Sequence, residues 1–258
     1  MLVVSTSASF WWLASVVVGA IATSTIAERL APYEPAWNRA RGDLGRDLLH
    51  ALVNEAATVG TVALIPLVRE LIPTLDVWPS GWPLLAQLGL AIVVADAGIT
   101  LTHRASHHFA PLWRLHAVHH AVERMYGCNG LVKHPLHQAI ETLVGTSPLL
   151  VLGMSSDVGT LLAIAVVVQL LLQHSNVDMR VGWAGYVWAV APAHRHHHLA
   201  SASLGNVNYG LFTLVWDHLM GTFAGDRPPP QADEVGIAER SDYPRAYLEQ
   251  LAEPFRCV

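Results

Sequence analysis

The sequence predicts an all-α protein: an integral-membrane bundle of about four to five spanning or hairpin helices, topped by a cytoplasmic histidine-rich helical cap. Three observations predict it. Of 258 residues, 52% are hydrophobic and only 14% charged, against roughly 25% charged in soluble domains. The apolar residues gather in stretches long enough to cross a bilayer. The 15 histidines gather between and after those stretches.

Met1 to Ala27 carries no charged residue; without a basic leader or a small-residue cleavage site it reads as a span rather than a signal peptide. Leu48 to Val68 is a second span, interrupted by His50, Asn54 and Glu55, and Trp82 to Thr102 a third, interrupted by Asp96. An acid inside a span normally faces the bundle interior, and Glu55 reads as a polar helix-packing group. Pro135 to Gln173 is apolar for too long to cross once, and the Met154-Ser155-Ser156-Asp157 break divides it into a hairpin that enters and returns. Arg29, Arg39, Arg41 and Arg46 lie between spans one and two, against Arg69 alone between two and three. This asymmetry puts the first loop in the cytoplasm. Three spans then deliver His103 to Lys133 to that face, and the hairpin returns His174 and all that follows to it.

A net charge of −5 with no basic run gives no electrostatic footprint for nucleic acid. Cys128 and Cys257 show neither metal-ligand spacing nor a disulfide framework. No linker or internal repeat divides the chain, so it reads as one domain.

The chemistry resides in the histidines. His103 and His107 are spaced i, i+4 and fall on one helix face. His116, His119 and His120, and again His194, His197 and His198, form His-x-x-His-His. Chance predicts roughly 0.05 occurrences of that pattern at this histidine frequency. In each, residues i and i+3 are expected to share a face while the extra histidine points about 100° away, which suits two neighbouring metals. Imidazole sets suit Zn, Cu, Fe and Ni. Two ions beside a cavity among apolar helices suit oxygen activation on a lipid-like substrate, with two-metal hydrolysis as the rival. His50, His108, His196 and His218 read as solvated or hydrogen-bonded residues outside the site.

From Asp96 to Thr222 these motifs resemble those of the fatty acid hydroxylase / sterol desaturase superfamily, integral-membrane non-haem di-iron oxygenases. The three histidine boxes fall on His103 and His107, on His116, His119 and His120, and on His194, His197 and His198. An Asp seven residues before the first box matches Asp96, a His-Pro after the second matches His134-Pro135, and a His ending the hairpin matches His174. The closing motif appears as "NYGLFTLVWDHLMGT". Thr100-Leu101 and Met220 depart from the usual residues. So do Gln169 and Gln173, where some relatives carry a further His, leaving Gln169, Gln173 or water to complete the second metal.

The resemblance implies residues 1–95 as N-terminal membrane helices, 96–225 as the di-metal catalytic region and 226–258 as a cytoplasmic tail, in a bacterial inner membrane. It implies metal ligation by the boxed histidines together with His134 and His174, with two Fe ions as cofactor (Zn in recombinant samples) and O2 as co-substrate. Asp96 is expected beside the ligands, accepting an imidazole N–H, and Asn208 and Tyr209 at the catalytic site, in a turn that packs the third box against it. A fatty acyl, sterol or terpenoid substrate and a separate ferredoxin or cytochrome-type electron donor follow. Hydroxylation is the expected outcome, with desaturation by the same site as the alternative. A metal-handling membrane protein is the non-enzymatic alternative, and it would need polar residues along several spans.

Overall fold

The computed structural model describes residues 6–225, 227–238, 240 and 242–256. Helix α1 (Thr6–Leu30) accounts for the first expected span, whose residues Met1 to Ser5 lie outside the described ones, as does Cys257. Helices α2 (Leu44–Leu71), α3 (Leu84–His108) and α6 (Ser156–His174) are each long and apolar enough to cross a membrane. Their outward residues, such as Leu52, Leu67, Leu85 and Leu101, are exposed, as lipid-facing positions should be. The all-α membrane bundle is therefore as predicted, and isolated bridges are the only strand-like pairings among the described residues.

The expected hairpin is α5 (Pro135–Leu152) followed by α6, with α5 packed on α3 and α2 and α6 on α1, α2 and α3. Pro135 starts α5 with φ already set for a helix. Gly153 ends it at φ 95°, in the left-handed region, and the Ser155 hydroxyl caps α6 by accepting from the Val158 N–H at 3.4 Å. Between α3 and α4 (Ala110–His120) only Phe109 intervenes; Pro111 forbids a continuous helix there. Where α3 crosses α5, Gly98 meets Gly145, and a Cβ on Gly98 would lie 2.8 Å from the Val144 carbonyl oxygen. This crossing admits no side chain, in the small-residue manner of membrane helices.

Short helices complete the cap: α7 (Ala191–His197), α8 (Ala202–Gly205), α9 (Val215–Met220) and α10 (Tyr247–Ala252). The α1–α2 loop joins this end, Tyr33 donating to the Pro230 carbonyl and Asn176 bonding Glu34. The α2–α3 loop instead meets the α5–α6 turn, through Leu75 N–H to the Val151 carbonyl. Described residues after 226 bond to the body: Gln250 bonds His50, and Arg114 donates to the Arg256 carbonyl.

Candidate metal centre

Two groups of imidazoles form at the cap end. His103, His107, His116, His120 and His197 make one, and His119, His174, His194 and His198 the other, with ligand atoms within each group no more than 4.8 Å apart. The i, i+4 pair His103/His107 shares a group as expected. The His-x-x-His-His boxes divide differently from the expected i, i+3 sharing. In α4, residues i and i+4 (His116, His120) face one group and His119 the other. Across α7, His194 and His198 face the second group and His197 the first. On an α-helix i+4 lies nearly above i, displaced by about 40°, whereas i+3 lies about 60° to the other side. Each box therefore hands two imidazoles to one histidine group and one to its neighbour.

The partners of the outer nitrogens fix which way each ring points. Nδ1 of His103, His119 and His197 lies 2.8, 2.9 and 2.8 Å from the carbonyls of Tyr209, Val132 and Val207. Nδ1 of His107 and His174 lies 2.9 Å from the amide oxygens of Asn206 and Asn129. These oxygens only accept, so each Nδ1 carries the proton and each Nε2 a bare lone pair. The Asn129 amide is oriented by its own bonds, its oxygen accepting from the Tyr126 N–H and its nitrogen donating to the Arg124 carbonyl.

Those lone pairs converge. His119 and His174 bring Nε2 to Nε2 at 3.2 Å, a repulsive contact unless a cation lies between them. The His174–His194, His194–His198 and His116–His120 Nε2 pairs lie at 3.2, 3.1 and 3.1 Å. Imidazole nitrogens about 2.0–2.1 Å from one metal stand about 2.9 Å apart at a right angle and about 3.3 Å at the tetrahedral angle. Nε2 of His103, His107 and His197 is buried without a hydrogen-bond partner among the described residues. The donor set thus fits two first-row metal ions. Burial, followed by the neighbouring imidazoles, holds His119, His120, His194 and His198 well below the ordinary histidine range, and His116 likewise. They stay neutral, the form a metal requires.

The remaining expected residues lie around these groups. His134 is outside both: its Nδ1 accepts from the Leu136 N–H as the cap of α5, and its Nε2 faces the Leu251 carbonyl. Asp96 bonds to no imidazole among the described residues. Its carboxylate accepts from the backbone N–H groups of Leu211, Phe212 and Thr213, the Thr213 hydroxyl and the Trp216 indole. Asn208 sits at φ 53° and clamps Ala193 and Ala224 with its amide. Tyr209 packs its ring 5.6, 5.2 and 5.4 Å from those of His103, His107 and His197, with its hydroxyl buried and unpartnered. Gln169 donates to the Ala189 and Leu211 carbonyls, and Gln173, which borders a recess shared with His103, His116, His119 and His194, donates to the Gly210 and Leu211 carbonyls.

Sequence reasoning missed Asn129 and Asn206, and it quoted Asp217 in the closing motif without giving it the role seen here, accepting from the Tyr209 and Gly210 N–H groups. It also missed His137, whose Nε2 bonds the Ser106 hydroxyl 2.8 Å away, and the buried Lys133–Glu141 pair at 2.5 Å. None of these carries a repeated spacing, the signal that exposed the boxes.

A family model for fatty acid hydroxylases matches residues 88–222. The chain is 33% identical over 253 residues to an ornithine lipid hydroxylase of Rhizobium tropici, covering 95% of this chain and 76% of that one. The chain belongs to the fatty acid hydroxylase family. An alkylglycerol monooxygenase of Danio rerio is 28% identical over 161 residues, 61% of this chain and 33% of that longer protein. No solved structure matches.

In this fatty acid hydroxylase family member a cavity of about 190 Å3 runs between α2, α3, α5 and α6. It shares Ile99, Lys133, Glu141, Leu170 and Leu211 with a recess of about 10 Å3 against His103, His116, His119 and His194. The expected apolar cavity therefore adjoins the histidines.

Metal analysis of iron-loaded protein should give two equivalents. His119→Ala and His197→Ala should lower this sharply, Asn129→Ala and Asn206→Ala should weaken affinity about 10–100-fold, and His108→Ala and His134→Ala should leave the stoichiometry unchanged. The lowered histidine pKa values also set a pH dependence. Stability of the metal-free protein is full above the unfolded histidine pKa of about 6.5. It erodes as pH falls below that, by up to about 1.4 kcal/mol per pH unit for each histidine kept neutral by the fold. A melting temperature in detergent that stays flat down to pH 5 would contradict the buried neutral cluster.

Proposed function

We propose that this protein is a membrane-bound di-iron monooxygenase that hydroxylates an unactivated C–H of a lipid-like substrate. The overall reaction consumes O2, two electrons and two protons and yields an alcohol and water. The observation that carries this reading is the juxtaposition of two all-imidazole donor groups with a cavity inside the membrane bundle. Two iron ions bound there would supply oxygen activation and hydrogen abstraction. His103, His107, His116, His120 and His197 would hold one, and His119, His174, His194 and His198 the other.

The chain's own residues do the rest. The Tyr209, Val132 and Val207 carbonyls and the Asn129 and Asn206 amides hold five of the rings in the tautomer that presents Nε2. Asp96, Asp217 and Asn208 fix the 208–213 loop, and so the Tyr209 carbonyl. Tyr209 shields His103, His107 and His197 on one side. The apolar walls of the cavity seat the chain of the substrate and keep water from the reacting carbon. The names of the similar proteins make an ornithine lipid the first substrate to try and an alkylglycerol the second.

Electrons come in this reading from a separate ferredoxin or cytochrome-type donor on the cytoplasmic side of a bacterial inner membrane. The arginine asymmetry supports that orientation, and the structure supports the pairing of ends: the α1–α2 loop lies with the histidines and the α2–α3 loop opposite them. In a variant lacking Cys128 and Cys257, a membrane-impermeant thiol reagent should label Ser80→Cys in intact cells and leave Ser201→Cys unlabelled. The reverse would put the donor on the wrong side.

The reaction is tested with iron-loaded protein, a reductase system and a lipid extract under labelled dioxygen. One labelled oxygen atom should enter a lipid product, and His194→Ala should give none. A product lacking two hydrogens and carrying no label would make the enzyme a desaturase, and label-free hydrolysis products formed without oxygen would overturn the oxidative reading.

A further inference from the structure

Among the polar groups of the cavity wall, which include Gln138 donating to the Thr142 hydroxyl at 3.5 Å, one carboxylate is left unused by the hydroxylase reading. The wall's charged residues are Glu55, Lys133 and Glu141. Lys133 Nζ lies 2.5 Å from Glu141 Oε2, so those charges cancel. The hydroxyls of Thr58, Thr61 and Thr146 donate to carbonyls one turn back in their own helices. Asn54, beside Glu55, ties α2 to the Leu131 and Lys133 carbonyls. Glu55 does not pack α2 against a neighbour in this way: its carboxylate has no hydrogen-bond or ion-pair partner among the described residues, and it borders the cavity.

An unpaired carboxylate at membrane depth is costly, and such groups are found where they face a partner or a substrate path. With Lys133 and Glu141 offsetting one another, Glu55 is the remaining acid on the wall, drawn toward Lys133 only through space. An anionic headgroup would be repelled by it, and the one cation, Lys133, is already bonded to Glu141. A neutral chain would leave the carboxylate unmatched. A substrate ammonium satisfies it through a charge-assisted hydrogen bond, roughly twice as strong as a neutral one. We propose that Glu55 is a specificity residue that binds the ammonium of an amino-bearing lipid whose chain occupies the apolar remainder of the cavity, beside Ile65, Leu162 and Val166. This rests on the lipid-hydroxylase reading. It adds to that reading the side chain that recognises the lipid's amine.

Binding decides the matter without the reaction. N-lauroyl-1,4-diaminobutane, its N′-acetyl form and lauric acid are each used to displace a fluorescent acyl probe from the purified full-length protein in detergent at neutral pH. The free amine should bind at least tenfold more tightly than the acetylated form, and lauric acid more weakly than either. Glu55→Gln should bring amine and acetyl forms to within threefold by weakening the amine alone, while metal content stays at the wild-type level. Glu55→Asp, which keeps the charge on a shorter arm, should retain part of the preference and serves if the glutamine variant fails to fold. A wild-type ratio below threefold, or an undiminished preference in Glu55→Gln, overturns the proposal. Labelled-oxygen incorporation into amine and acetyl lipids alike would remove the anchor and leave the hydroxylase intact, whereas tight amine binding with no incorporation into any lipid would remove the hydroxylase reading and leave the anchor.

Discussion

The structure depends on one electrostatic constraint: imidazole lone pairs are turned toward one another inside a protein that excludes water from them. His119 and His174 show it most plainly, each donating its Nδ1 proton outward and so left with facing Nε2 atoms 3.2 Å apart. A proton shared between them would create a buried imidazolium, which the burial of His119 opposes. A metal cation resolves the contact, and the His116–His120, His174–His194 and His194–His198 pairs bring Nε2 atoms to a similar spacing.

The fold serves that constraint by gripping the histidines from behind. Asp96, midway along α3, spends its carboxylate on the backbone of Leu211, Phe212 and Thr213, while Asp217 grips Tyr209 and Gly210. Gly210 has no room for a side chain: a Cβ there would lie 2.0 Å from the Thr213 carbonyl oxygen. The result of this tight loop is a single oxygen, the Tyr209 carbonyl, held against His103 Nδ1. Asp96, Asp217, Asn129 and Asn206 thus act through hydrogen bonds that orient the imidazoles from behind, directly or through the 208–213 loop.

Much of this was legible in the sequence because it is periodic. The spans follow from hydropathy, the α5–α6 break from Met154-Ser155-Ser156-Asp157, and the pooling of nine boxed and hairpin histidines from spacing and resemblance. The division of each His-x-x-His-His box was misjudged because i+3 and i+4 are both near neighbours of i on a helix. Their opposite angular offsets decide which metal position each reaches once a second one stands beside the first. Asp96 was expected against an imidazole two turns along the same helix, but the loop of residues 211–213 folds back over it first. His134 carries a motif-like position, yet its ring is used locally to cap α5. Asn129 and Asn206 left no trace in the pattern, since any amide that reaches the ring can do their work.

The central claim is that the nine imidazoles form two adjacent metal positions with the crossed division described. An anomalous difference map from crystals of iron-loaded protein, collected at the iron edge, tests it most directly. The account predicts two peaks, one bonded by His103, His107, His116, His120 and His197 and the other by His119, His174, His194 and His198. A single peak, or two peaks with His116 and His119 on the same ion, would contradict it.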